Sequence, residues 1–242
     1  MNWQVPKTWE GETAFIIAGG PSLRTMVIDK QGAKKPELFD ASILRKRGRV
    51  ITINDAWALA PWADVNYFYD SSWWRMQIDK NPGAWDRKTG MVYRTFHDQI
   101  YKGFWVSGSQ DFATHPQVHA LRLTGQTGLE TKSDGLKHGS NRGYQCINLA
   151  YLFGAKRIVL LGYDMQPATN GRTHWHSEPR QSNFAQVLKL SMLPHFETLV
   201  QPLKEAGVEV LNANPNSALQ CWPKVTVEQV FNPQMELLEK ES

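Results

Sequence analysis

The feature that most constrains this sequence is a recurring one: short apolar runs that each stop at glycine or at a polar side chain. Ala14-Phe15-Ile16-Ile17-Ala18 runs into Gly19-Gly20-Pro21-Ser22, and Val50-Ile51-Thr52-Ile53 runs into Asn54-Asp55. Val65 to Tyr69 ends in Asp70, Ile158 to Leu161 in Gly162-Tyr163-Asp164, and Val208 to Leu211 in a segment rich in asparagine, Asn212 to Asn216. Runs of that length suit strands covered on both faces, the situation of a parallel sheet. Helical spacing lies between them. Asn141 to Ala155 carries Cys146, Ile147, Leu149, Ala150, Leu152 and Phe153 on one pattern and stops at Gly154, while 183–206 reads as a long amphipathic helix bent near Pro194 and Pro202. Shorter helices are expected at Ala56–Ala60, after Asp70 with a serine as cap, and in the tail from Val225. Short strands at 91–93, 104–106 and 119–123 complete the pattern without an order that the sequence fixes.

Strands alternating with helices predict an α/β fold: one Rossmann-like domain over 1–242, with a mostly parallel, twisted sheet and helices on both faces. The polar stretch 165–182, which contains THWHSEPR, has the length of a lid loop. In sheets of this kind ligands lie outside the C-terminal strand ends. Ser22, Asn54, Asp55, Asp70, Asp164, Asn212, Asn214 and Asn216 all fall there. The GGPS turn matches neither a Walker A loop nor GxGxxG, and on its own it reads equally as a plain turn or as a phosphate loop.

Composition excludes several classes. A chain of 242 residues with 41% apolar and 21% charged content is of globular type, and it has no apolar stretch near the roughly 18 residues of a membrane span. The start, MNWQVPKTWEGE, lacks the layout of a secretory signal, so the expected location is the cytoplasm. The net charge of +4 is scattered, and the Arg45-Lys46-Arg47 cluster with Arg49 reads as the coat of a connection; mild attraction to polyanions is expected, and nucleic acid stays open as a partner without being indicated. Cys146 and Cys221 have no CxxC spacing and read as buried thiols. Ten tryptophans are unusual, and Trp73, Trp74, Trp85, Trp105 and Trp175 in loop-like places suggest either packing under long loops or a ligand or partner surface.

The ordered set GGPSL, IND, RGYQCINLAYLFGAKRIVLLGYDM, THWHS and NPNSAL resembles the bacterial sialyltransferases that use CMP-sialic acid, together with the related MptE-like (DUF115) pterin diphosphokinases. It is similar above all to phage and prophage proteins of that superfamily, which share WADV, paired-tryptophan and GYDM…HWH segments. The likeness runs from about residue 14 to 220, with 80–135 unmatched. It implies a nucleotide or nucleotide-sugar site made by Gly19, Gly20, Pro21, Ser22 and Asn54, with Asp55, Tyr163 and Asp164 beside it. It also implies a contact from the helix start at Arg142-Gly143, and a nucleotide-side loop with Asn216 and Ser217. Where the family commonly has Ser/Thr-Gly, this chain has Arg142-Gly143, and a cation there suits an additional phosphate or carboxylate, or reads equally as a solvent-exposed arginine. The general base implied is His176, which precedes Ser177 as in the family pattern, with His174 second.

Histidine can serve as that base near neutral pH without a metal, so the main reading requires no cofactor. Two readings stay open beside it. In a diphosphokinase, Asp55, Asp70 and Asp164 would hold Mg²⁺. In a non-catalytic module, the chain would bind a nucleotide or a partner and turn nothing over. The HWH pair itself reads as base, as structural hydrogen-bonding groups, or as metal ligands.

Overall fold

The computed structural model describes residues 3–28, 34–79, 85–86, 91–92, 103–176 and 183–232. Seven strands form one sheet: β1 (Thr13–Ile17), β2 (Arg49–Ile53), β3 (Val65–Phe68), β4 (Phe104–Ser107), β5 (Val118–Ala120), β6 (Arg157–Leu161) and β7 (Glu209–Asn212). Their order is β7-β6-β1-β2-β3-β4-β5, and every neighbouring pair is parallel. From β1 the chain moves outward through β2 to β5, then returns to the other side of β1 for β6 and β7. The order therefore reverses between β1 and β6, which opens a crevice at their C-terminal ends.

The register sorts the apolar runs onto two faces. Ala14, Ile158 and Val210 lie side by side on one face and Phe15, Val159 and Leu211 on the other, all of them buried. Against the first face pack helices α2 (Arg142–Phe153) and α3 (Leu193–Glu205), contributing Cys146, Leu149, Phe153, Phe196 and Leu199. The second face has a different cover: short 3-10 turns that supply Leu23, Ala41, Leu44 and Ala56, the loop residue Trp175, and the terminal helix α4 (Val227–Phe231) with Val230. Helix α1 (Ser71–Asp79) covers the outer strands on that face, where Phe68, Trp73, Trp74, Trp105, Phe112 and Val118 form an aromatic cluster. Helices on both faces were expected and are found, α1 and α4 on this one; the longer helices stand on the other face, and the segment between β1 and β2 carries 3-10 turns and an antiparallel ribbon in place of a helix.

The expected 183–206 helix begins as Phe184–Val187, passes through a π-helical turn at Leu188–Met192, and continues as α3 through Pro202. Pro194 has no N–H to return to the preceding turn, which explains the wider turn just before it. Glycine ends α2 as anticipated, with Gly154 left-handed at φ 101°. Other expectations are corrected. The polar stretch after Ser22 contains an antiparallel ribbon, Arg24–Ile28 with Lys34–Leu38. Met91–Val92 pairs with Trp85–Asp86 away from the main sheet, and 119–123 divides between β5 and a bridge of Arg122–Leu123 to Gly135–Leu136. The Ala56–Ala60 helix is a 3-10 turn, Asn54–Ala58.

The basic cluster does coat a connection: Arg45 lies over Trp62, Arg47 over Phe231, and Arg49 pairs with Glu12 and Asp64. Cys146 is buried and Cys221 half-buried; burial, with Glu197 nearby, pushes the Cys221 thiol up to about 12. Among the described residues no helix is long and apolar enough to cross a membrane.

Candidate functional site

A cleft of about 370 Å³ occupies the crevice between β1 and β6. Its floor is the glycine turn after β1. Gly20 donates to the Gly162 carbonyl at 2.9 Å, which ties the ends of β1 and β6 together. A methyl group on Gly20 would come within 1.9 Å of Asp164 Oδ2, so only glycine fits. Ser22 donates twice to Asp164, from its backbone N–H to Oδ1 (3.0 Å) and from its hydroxyl to Oδ2 (2.8 Å). Burial pushes the Asp164 carboxyl up, and the bonds from Ser22 draw it part of the way back. The GGPS turn is thus held by Asp164, and the Ser22 donors are engaged within the protein.

Asn54, at the end of β2, adopts a left-handed backbone with φ 51°. Asparagine tolerates this better than most residues, yet it remains uncommon. Its side-chain Oδ1 is buried with no hydrogen-bond partner among the described residues, and the residue lines the cleft. An unsatisfied acceptor on a strained residue at a cleft wall is a common arrangement at ligand sites.

Helix α2 brings its N-terminus to the same cleft. Asn141 caps it, Oδ1 accepting from Gly143 (2.7 Å) and Tyr144 (3.3 Å). The position of this terminus is set from behind. Tyr163, fully buried, donates from its hydroxyl to the Gly143 carbonyl at 3.0 Å. Asn148, farther along α2, clamps the preceding loop: its Oδ1 accepts from the Glu130 and Lys137 backbones, and its Nδ2 donates to the Glu130 carbonyl. Arg142 stands in the first turn, paired with Asp70 from the end of β3. A cation at the positive end of a 12-residue helix makes this wall favourable to an anion.

The third wall is the segment after β6. Trp175 is buried in the second-face core, and its backbone N–H donates to the Gly19 carbonyl at 3.0 Å. That anchor presents His174 and His176 to the cleft on either side. His174 lies over Gly19 and contacts the Thr173 hydroxyl at 3.0 Å. His176 Nε2 is 3.5 Å from Asp55 Oδ2, and the two imidazole centroids are 5.4 Å apart. Of the 165–182 stretch expected to form a lid, residues 165–176 are described; Ser177 lies outside the described residues.

Of the residues singled out in the sequence, Gly19, Gly20, Pro21, Asn54, Asp55, Arg142, Gly143, Tyr163, Asp164, His174 and His176 line the cleft together. Ser22 sits behind Asp164. Asn216 is exposed and Ser217 is buried, its hydroxyl bonded to the Tyr163 carbonyl at 2.5 Å, so the PNS loop supports the β6 end from outside the cleft lining. The three acids are separately engaged: Asp164 with Ser22, Asp70 with Arg142, Asp55 with Trp73 and His176. Among the described residues no group of three or more His, Cys, Asp or Glu is placed to hold a metal ion. Sequence reasoning missed Ser140, Met165, Gln166, Phe184, Leu188 and Met192, which also line the cleft. Ser140 and Met165 have left-handed backbones, which no residue type announces; Gln166 follows Met165 after β6, and Phe184, Leu188 and Met192 come from where the helix with the π-helical turn docks.

The tryptophans answer to packing. Trp73, Trp74, Trp105 and Trp175 are buried, and the Trp85 side chain lies outside what is described.

No family model and no curated protein matches this chain. Among solved structures it is similar to the sialyltransferase CstII from Campylobacter jejuni in complex with a substrate analogue, cytidine-5'-monophosphate: 15% identity, 90% of this chain and 86% of that one covered, TM-score 0.51. The same enzyme with CMP-3FNeuAc gives 13% identity, coverage of 89% and 86%, and TM-score 0.49. The chain therefore has a sialyltransferase-like α/β fold.

Proposed function

We propose that this protein is a metal-independent transferase that binds a nucleotide-activated sugar in the β1–β6 crevice and uses His176 as general base. The observation that carries this reading is the meeting, in one cleft, of an imidazole paired with a carboxylate and a helix N-terminus that carries an arginine. The first suits removal of a proton and the second suits a departing phosphate. The fold shared with a sialyltransferase that binds cytidine-5'-monophosphate supports a nucleotide donor.

In the proposed step, His176 takes the proton of an acceptor hydroxyl as its oxygen bonds to the anomeric carbon. The bond from that carbon to the phosphate oxygen breaks, and the electron pair leaves on the phosphate, which faces Arg142 and the α2 N-terminus. Asn54 offers its unsatisfied Oδ1 to a donor N–H of the bound nucleotide, and the glycine turn lets the ligand approach the backbone. A diphosphokinase reading would bring Asp55, Asp70 and Asp164 onto one cation. Their separate engagement with Trp73 and His176, with Arg142 and with Ser22 favours the metal-independent alternative.

Thermal melting with CMP, CMP-sialic acid, UDP- and GDP-sugars and ATP, each with Mg²⁺ and with EDTA, tests the reading. A ligand at about 100 times its Kd adds roughly 2.7 kcal/mol of stability. Stabilisation by a nucleotide or nucleotide sugar in EDTA is expected. Stabilisation by ATP only when Mg²⁺ is present would overturn it.

A further inference from the structure

We propose that Trp73 is a positioning residue for the base: its indole N–H fixes the Asp55 carboxylate so that Asp55 in turn fixes His176. The proposal rests on the assignment of His176 as base and adds a residue outside the cleft lining. Trp73 Nε1 donates to Asp55 Oδ1 at 3.2 Å, and the other carboxylate oxygen, Oδ2, is the one 3.5 Å from His176 Nε2. The two oxygens of one carboxylate therefore serve two different partners. Asp55 sits in a 3-10 turn that starts at the left-handed Asn54. A hydrogen bond to one carboxylate oxygen narrows the rotamers open to the side chain and aims the second oxygen at the imidazole.

Trp73 is well suited to act as the fixed point. It is only 6% exposed, its ring packs on Phe68 at 5.3 Å, and it belongs to the aromatic cluster under β3 to β5. Its helix is held at the start as well, because Asp70, immediately before α1, pairs with Arg142 at the opposite wall of the site. One short segment, 70–73, thus touches both the anion wall and the base pair.

The chemistry has a direct signature. A carboxylate oxygen 3.5 Å from Nε2 favours the neutral imidazole that carries its proton on Nε2, the tautomer in which Nδ1 is the basic nitrogen. The His174 imidazole and the Trp175 indole also pack beside His176, with ring centroids 5.4 and 5.1 Å away.

The test is the tautomer of His176, read by ¹⁵N NMR of histidine-labelled protein, with the signal assigned by its loss in His176→Gln. The wild type is expected to show the Nε2–H form. Trp73→Phe, which keeps an aromatic ring and deletes the N–H, is expected to lose that preference, as is Asp55→Asn. If Trp73→Phe does not fold, incorporation of the benzothiophene analogue of tryptophan at 73, in which sulfur replaces N–H, carries the same comparison. A change in melting temperature with the tautomer unmoved would overturn the proposal and leave Trp73 a packing residue. Under the transferase reading, Trp73→Phe also lowers kcat on the order of tenfold with little change in KM, and has no further effect in an Asp55→Asn background. A shifted tautomer in a protein that turns over no donor would sustain the positioning role while sinking the transferase reading.

Discussion

Asn54 shows most plainly how a single residue is set for a ligand. It holds a left-handed backbone at φ 51° and buries an acceptor that the described residues leave unsatisfied. Glycine accepts the same backbone without strain and removes the acceptor. Asn54→Gly is therefore expected to leave the melting temperature within a few degrees of wild type while weakening nucleotide binding about tenfold, the value of one hydrogen bond of ordinary strength. Titration calorimetry beside a melting curve separates the two effects; a large loss of stability with unchanged affinity would make Asn54 a structural residue. Much at this scale was legible in the sequence. Gly20 could be flagged because it follows a buried strand, whereas His176 was singled out through the resemblance of THWHS to the family pattern. The service of Asp164 was not legible. Its role as the holder of Ser22 depends on β6 lying beside β1, although 142 residues separate the partners.

Among elements, α2 matters most to the site. It covers the first face of the sheet with one side and delivers Arg142 with its first turn. Asn141 is its N-cap, with bonds to both Gly143 and Tyr144. Asn141→Ala is expected to cost about 1 kcal/mol, which in a chain of this size lowers the melting temperature by roughly 2–4 °C. Asn141→Ser, retaining a capping oxygen, should recover most of the loss; equal losses in both variants would mean that the cap contributes little. The α2 boundaries could be read from its sequence, since helical periodicity and a terminal Gly154 are local signals. The split of 183–206 by a π-helical turn could not, because it comes from how Pro194 meets the turn before it. The ribbon at Arg24–Ile28 and Lys34–Leu38 was missed for a related reason: the apolar run Met26-Val27-Ile28 is short, and its partner strand, Lys34-Lys35-Pro36-Glu37-Leu38, is mostly polar and carries a proline.

Across the whole molecule, the alternation of buried strands with helices was enough to anticipate a parallel α/β sheet, and the reversal between β1 and β6 explains why Asn54, Asp55 and Asp164, from the ends of β2 and β6, meet in one crevice while Ser22, Asp70, Asn212, Asn214 and Asn216 stay outside its lining. What sequence could not supply was the order of the outer strands, because β4 and β5 are short and separated by loops. Stability as a function of pH has one clear contributor outside the site. Glu130 is buried, which opposes its charge, but the Thr124 hydroxyl, the Lys132 and Thr131 backbone N–H groups and Lys137 bring its carboxyl down to about 2 from an ordinary 4.5. A lowered folded value means that the stabilisation is fully present above pH 4.5 and is lost as the pH falls toward 2. Urea unfolding of wild type and Glu130→Gln should differ by about 2–3 kcal/mol at pH 7 and converge only as the pH approaches about 2. A difference independent of pH would show that the glutamate acts through packing alone. Asp164 is shifted in the opposite sense, so the comparison of the two proteins isolates Glu130 from it.

The central claim is that the β1–β6 crevice is a transferase site with His176 as its base. It is tested most directly by measuring nucleotide-sugar binding and turnover in wild type and His176→Ala side by side. The account predicts that the variant binds the donor with affinity close to wild type and loses turnover by a factor of roughly 10² or more. Turnover equal to wild type in His176→Ala would contradict it.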